Sequence, residues 1–386
     1  MQRLQICSRK EFMTEGGEFP VVPPTPVQPE QTDREALKAF SRFNVENIFE
    51  GKASRQDSIR EKVTVIEDSE ITFDQIGGNA KAKKELRELA KIIKGSKAHR
   101  AMGATADRGY LLWGPSGNGK TELARALAHE TGAIVVIVNY QDLASKWVNE
   151  TAENIRKLFE FAREEAKRTG KPVIIFFDEA DALFISRDSD TAHSMHTTAL
   201  AALLTEMDGA HANNENVYVM GATNHAEGID PAARRRFEHK IEVPNPDAPD
   251  RVEILQIHRD KARNASKENG YNAVIFADTN NPDFWKNVAT ITEGFNGSQL
   301  AQIIHRATRL AAAKLQMAME EAGIEDVDEF LKAYPTALET ITVTSEEVIQ
   351  IALEIRSEEI QAIKGSAEET QAYRGTARGY FGAEQN

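Results

Sequence analysis

Eight consecutive residues, Gly114-Pro115-Ser116-Gly117-Asn118-Gly119-Lys120-Thr121, have the types and spacing needed to hold a polyphosphate. Glycines at 117 and 119 permit a tight turn whose N–H groups converge on an anion. A helix beginning near Thr121 adds its partial positive end to the same place. Lys120 supplies a mobile cation for the β- and γ-phosphates, and the Thr121 hydroxyl can sit on a Mg²⁺ ion. Glu122 follows directly and is counted with the site. A chance glycine-rich turn is the competing explanation, and the flanking patterns weigh against it. Tyr110-Leu111-Leu112-Trp113 reads as a short buried strand, and Leu123, Ala126, Leu127 and Glu130 recur at helical spacing. Strand, loop and helix arrive in the order such a loop requires, so the sequence predicts a nucleoside-triphosphate site.

A second constellation lies downstream. Val173-Ile174-Ile175-Phe176-Phe177 is an unbroken apolar run closed by Asp178-Glu179. A central parallel strand is buried on both faces, which accounts for the continuous apolarity. Acids at its carboxyl end lie where α/β sheets bind ligands. Asp178 is expected to hold Mg²⁺ through its water shell, and Glu179 to act as general base on the attacking water. The alternative is a strand capped by two solvated acids. With a phosphate loop in the same chain, the paired acids predict a hydrolase rather than a nucleotide-binding pseudoenzyme.

Around these two sites stand segments that mean little singly. Ile71-Thr72-Phe73-Asp74-Gln75-Ile76-Gly77-Gly78 precedes a helical pattern with Leu86, Leu89, Ala90 and Ile93, ending at Gly95. Lys146-Trp147-Val148-Asn149-Glu150 follows the β-branched run Ile134–Val138. Val217 to Thr223 is another apolar run, ending at Asn224. Three arginines, Arg234-Arg235-Arg236, interrupt an otherwise acidic chain, and Gly294-Phe295-Asn296-Gly297-Ser298-Gln299-Leu300 opens a long helical pattern.

In this order and spacing the segments resemble the AAA+ ATPases over roughly residues 71–363. The resemblance implies a P-loop core with a five-stranded parallel sheet, a small C-terminal helical lid domain, and ATP with Mg²⁺ between them. It assigns Ile76 and Gly77 to the adenine-side entry and Gly297 to the lid motif beside adenine and ribose. Lys146, Trp147 and Val148 become a pore loop that grips polypeptide, although Asn149 stands where the family usually has glycine. A core or interface role is the alternative for Trp147. The polar stretch from Ser186 to His196 corresponds to a second pore loop, so His193 and His196 are read as pore-facing rather than as metal ligands. Asn224 matches the residue that orients the lytic water. Arg235 and Arg236 match fingers that reach a neighbouring subunit's ATP; a solvated basic turn is the alternative. The Lys-Trp-Val segment and the Arg-Arg-Arg-Phe-Glu ending look most like the branch containing katanin, spastin and the ATPase that disassembles endosomal-sorting filaments.

Composition bounds the rest. A formal net charge of −13 on 386 residues disfavours nucleic acid as a bulk partner. One cysteine, Cys7, excludes an internal disulfide and suits a reducing compartment. No apolar run approaches the roughly 18 residues a membrane helix needs. Arg3, Arg9 and Lys10 flank no apolar core of a secretory signal, so a cytoplasmic location is expected. Prolines 20, 23, 24, 26 and 29 mark residues 1–32 as an extended arm. A helix and linker are expected over 33–69, the large α/β domain over 70–246, the small helical domain over 247–363, and a Gly- and Glu-rich tail over 364–386. The polar stretch 264–283 resembles an insertion, and Thr344 with Glu347 forms a capping-box pattern. The function expected is a ring-forming ATPase, a homo-oligomer of hexameric type, that threads and remodels protein substrates. A DNA-handling motor and an ATP-switched scaffold without translocation are the alternatives.

Overall fold

The computed structural model describes residues 59–361, apart from positions within 96–108, 140–147, 185–192, 214–215, 226–227 and 272–281. Residues 1–58, with the proline-rich stretch and most of the expected helix and linker, lie outside the described residues, as do Lys146, Trp147, residues 186–192 and the expected C-terminal tail. So do the side chains of Val148, His193 and His196.

Alternation dictates the sheet. Strand β2 (Gly109–Trp113), β3 (Ile134–Asn139), β4 (Val173–Asp178) and β5 (Val217–Thr223) are apolar up to their last residue, and their successive side chains point to opposite faces. Val173, Ile175 and Phe177 of β4 enter one core cluster, and Ile174 and Phe176 enter the other. β3 divides in the same way, with Val136 and Val138 on one side and Val135 on the other. A strand buried on both faces can afford no polar residue before its end, and in β4 Asp178 is that end.

With β1 (Thr64–Ile66) at one edge and β6 (His239–Glu242) at the other, the sheet has six strands in the order β1-β3-β4-β5-β2-β6. The expected sheet of five parallel strands is thus corrected to a mixed one. β2, β3, β4, β5 and β6 run parallel, while β1 joins the β3 edge antiparallel, pairing Val65 with Val136. The short run Val63–Ile66 arrives from outside the α/β repeat, so no crossover helix constrains its direction.

Helices cover both faces. α1 (Ala80–Lys94) and α2 (Lys120–Thr131) pack on one, through Leu86, Leu89, Ile93, Leu123 and Leu127. α3 (Val148–Thr169) and α5 (His193–Asn213) pack on the other, and Ile155, Leu158, Phe159, Ala162 and Ala166 form the predicted apolar stripe of α3. Between β4 and α5 lies the single turn α4 (Asp181–Phe184). After β5 comes α6 (Pro231–Arg236), whose N-terminus is capped by the Asp230 carboxylate accepting from Ala232 N–H at 2.7 Å. Phe237 then plunges into the core against Phe184, ring centroids 4.9 Å apart, and fixes where the arginine turn sits.

A third core belongs to the C-terminal helices: α7 (Ala248–Glu268), α8 (Pro282–Ile291), α9 (Gly297–Ala322), α10 (Val327–Ala333), α11 (Ala337–Thr340) and α12 over 345–361. Trp285, Phe295, Leu300, Ile303 and Val348 meet there. The predicted capping box forms: Glu347 N–H donates to the Thr344 hydroxyl at 3.3 Å, and Thr344 N–H to the Glu347 carboxylate at 2.8 Å. The polar stretch 264–283 is only partly a connection. α7 runs to Glu268, and Ile275 and Phe276 are buried, with Phe276 bridging Val343.

α7 meets the first layer at Gly77, where a Cβ would lie 2.6 Å from the Ile254 Cα. Only a residue without a side chain permits that approach. Gly77→Ala is expected to push the entry segment off α7 and lower stability by about 1–3 kcal/mol, read from chemical denaturation. An unchanged midpoint would mean that the two backbones are not in contact.

Candidate nucleotide site

Adjacent parallel strands bring their carboxyl ends to one edge of the sheet, and β4, β5 and β2 are adjacent. β2 delivers the phosphate loop, β4 delivers Asp178 and Glu179, and β5 delivers Asn224. In sequence these groups are separated by up to about a hundred residues; pairing of the strands alone makes them neighbours. The edge opens into a cleft of about 670 Å³. Its walls include Ser116 to Glu122, Asp178, Glu179, Asn224, Ile76, Gly77 and Gly297, so the predicted nucleotide residues meet there. Gly114 and Pro115 stand behind the loop and contribute carbonyls.

Lys120 is the centre of the polar network. The residue is 9% exposed, and its ammonium donates to the carbonyls of Gly114 and Pro115 at 2.8 and 2.9 Å and to Asn224 Oδ1 at 2.8 Å. Burial pushes its pKa below the ordinary lysine value, and the nearby Asp181 and Asp178 carboxylates oppose that. The Thr121 hydroxyl donates to Asp178 Oδ2 at 2.8 Å. A hydroxyl and a carboxylate oxygen this close form the hard, oxygen-only donor set that suits Mg²⁺.

Glu179 follows with φ +49°, in the left-handed region, and its N–H donates to Asp178 Oδ1 at 3.0 Å. A non-glycine residue in that conformation carries local strain of the kind that gathers at active sites. The turn leaves Glu179 exposed at the cleft. Gly117, at φ +75°, takes the conformation that the sequence required of it.

Several groups on or supporting the cleft were missed in the sequence. Asp181 accepts hydrogen bonds from the Thr223 hydroxyl and, at 3.2 Å, from the Asn224 N–H, pinning the end of β5. Ile254, His258 and Lys261 line the opposite wall from α7, at i, i+4 and i+7. That helical spacing was the available signal, but nothing in it pointed to a ligand. Burial pushes the His258 imidazole below its ordinary value near 6.5, and the Lys261 charge adds to the shift. An uncharged imidazole beside Ile71, Ile76, Ile254 and Ala301 makes this end of the cleft suited to a flat heterocycle.

The arginines lie elsewhere. Arg234, Arg235 and Arg236 are exposed, and none belongs to the cleft lining among the described residues. Arg236 is engaged within the chain: Nη2 donates to Asp208 Oδ2 at 2.6 Å, and this bond holds the guanidinium pKa above its ordinary value. The two expected fingers are therefore not equivalent. Among the described residues no group of three or more His, Cys, Asp or Glu is placed to hold a metal ion, and no helix is long and apolar enough to cross a membrane.

Residues 110–245 match the family described as "AAA: ATPase family associated with various cellular activities". The chain is 37% identical over 274 residues to the "ATP-dependent zinc metalloprotease FtsH 4" of Synechocystis sp., covering 69% of this chain and 40% of that protein. It is 37% identical over 262 residues to the "ATP-dependent zinc metalloprotease FtsH" of Akkermansia muciniphila, covering 67% of this chain and 30% of that one. The chain thus spans well under half the length of these relatives. They are named as metalloproteases, not as members of the katanin and spastin branch, and give that narrower assignment no support.

The depressed His258 pKa has a consequence for stability. Between the folded pKa and about 6.5 the unfolded chain binds more protons at this residue, so stability rises with pH there and is lost as pH falls. Relative to wild type, His258→Gln is expected to lose less stability between pH 7.5 and 5.5 in denaturant titrations. Parallel losses would mean that the imidazole is not held neutral.

Proposed function

Residues 110–245 form an ATPase domain of the AAA family, and from that premise we propose that the chain is a ring-forming motor that hydrolyses ATP to pull and remodel polypeptide. The observation that carries the chemical part is the meeting of Lys120, Thr121, Asp178, Glu179 and Asn224 at one sheet edge, opposite the start of α9.

In this reading the loop N–H groups and Lys120 hold the phosphates, and Lys120 exchanges loop carbonyls for phosphate oxygens. Mg²⁺ would be held by Thr121 and Asp178, where it would offset phosphate charge. Glu179 takes a proton from water as the water oxygen attacks the γ-phosphorus. The bond from that phosphorus to the β–γ bridging oxygen breaks, leaving ADP and phosphate. Asn224, steadied by Asp181, orients the water. Ile76, Gly77, His258 and Gly297 enclose the adenosine end.

The arginine turn is exposed and takes no part in the lining of its own cleft, which supports action on a neighbour's ATP. Arg235, for which no ion pair is found among the described residues, is the residue assigned that role, and Arg236 anchors the turn through Asp208. A protein substrate is the reading closest to the relatives' names, and Lys146, Trp147 and Val148 are assigned to grip it. The zinc chemistry in those names is left with those proteins: no His-Glu-x-x-His run occurs in the 386 residues. We also propose a cytoplasmic setting, and a homo-oligomer because an arginine acting on a neighbour's ATP requires a second copy.

ATPase rate measured against protein concentration tests the shared-site reading. Wild-type specific activity is expected to rise with concentration. Arg235→Ala should stay flat, with kcat lower by about 10³-fold, and Arg236→Ala should lose less. Glu179→Gln should retain nucleotide while hydrolysis falls at least about 100-fold. A constant rate per subunit, with Arg235 dispensable, would rule out the ring.

A further inference from the structure

Asn118 lies within the glycine-rich loop yet is 4% exposed, and both ends of its carboxamide are used. Oδ1 accepts from the N–H of Gly297, the first residue of α9, at 3.1 Å. Nδ2 donates to Asn245 Oδ1 at 2.9 Å. Asn245 lies in the connection between the sheet and the C-terminal helices, with proline on either side. Pro246 therefore biases Asn245 toward extended backbone, and Pro244 fixes its own φ just before it. The next carbonyl, that of Pro246, accepts from buried Arg251 at 2.8 Å, and Arg251 Nε donates to the Ala289 carbonyl of α8 at 2.9 Å. A continuous path thus runs from the phosphate loop through the connection into the C-terminal core. Beside it, Ser298 N–H donates to the Gly117 carbonyl at 2.8 Å.

The residue type matters. A single-oxygen hydroxyl cannot reach two partners on opposite sides, and a carboxylate has no donor for Asn245. The position requires a planar group with an acceptor at one end and a donor at the other. It does not require a group that meets a phosphate.

We propose that Asn118 is a positioning residue that fixes the connection and the start of α9 against the phosphate loop, and so sets how long bound ADP stays in the cleft. Gly117, Asn118 and Gly119 form one wall of the cleft, and Gly297, Ser298 and Ala301 form another. Parting those walls breaks the Asn118 bonds. The inference rests on the cleft being a nucleotide site, as proposed above.

The test is stopped-flow release of a fluorescent ADP analogue from the full chain. Loss of one or two such hydrogen bonds corresponds to roughly three- to tenfold changes. Asn245→Ala, at an exposed position remote from the reacting groups, is expected to speed release roughly threefold. Asn245→Asp keeps an acceptor for Asn118 Nδ2 and should stay within about twofold of wild type. Asn118→Ala should release roughly tenfold faster, and the double alanine variant no faster than Asn118→Ala alone. A general loosening of the fold would not distinguish Asn245→Ala from Asn245→Asp. Should Asn118→Ala not fold, that Asn245 pair decides the matter alone. Equal rates for the two Asn245 variants, or singles that multiply in the double, would overturn the proposal while leaving nucleotide binding intact. A wild type that fails to bind the analogue would sink both readings.

Discussion

A buried lysine must have acceptors for its ammonium, because an unpaired buried charge costs several kcal/mol. Lys120 receives three, two from its own loop and one from Asn224 at the end of β5. The lysine can be satisfied only if the loop curls back on itself and β5 ends at the same level as β2. Asp181 in turn fixes β5 by accepting from Thr223 and Asn224, and Asp178 holds Thr121 beside the loop. Six polar residues from four elements therefore gather at a sheet edge whose interior admits no polar group.

The network reaches past the sheet. α7 supplies Ile254 against Gly77, His258 and Lys261 along the cleft, Glu253 to the Gly78 N–H at 3.1 Å, and Arg251 to the connection. One helix thus carries the apolar wall, the imidazole and the link to the C-terminal core. The N-terminus of α9 closes the opposite side, capped by Asn296, whose Oδ1 accepts from Gln299 N–H at 2.9 Å. Gln299 answers by accepting from the Asn296 N–H at 2.8 Å, so glutamine completes the cap.

The arginine turn shows how a fold divides adjacent residues of one type. Asp230 caps α6, Phe237 is buried beyond it, and the three arginines between are left on the surface. Asp208, within α5, takes Arg236. In the sequence Arg235 and Arg236 are interchangeable; a carboxylate 28 positions away distinguishes them.

Local chemistry determined a good deal. The phosphate loop, the apolar strand ending in Asp178-Glu179, the stripe of α3 and the Thr344–Glu347 cap depend on residues near one another in the chain, where spacing maps directly onto geometry. The mixed sheet did not emerge from the sequence, because a three-residue strand carries no directional signal and only its pairing with β3 sets it antiparallel. His258, Asp181 and Asn245 were likewise invisible: each acts through a partner distant in sequence or on another element, and on its own reads as an ordinary helix, turn or linker residue. Sequence by itself therefore specified which chemistry the chain carries. Tertiary structure decided which side chains serve it, because hydrogen bonds between segments exist only after the strands have paired and the C-terminal helices have docked on the loop.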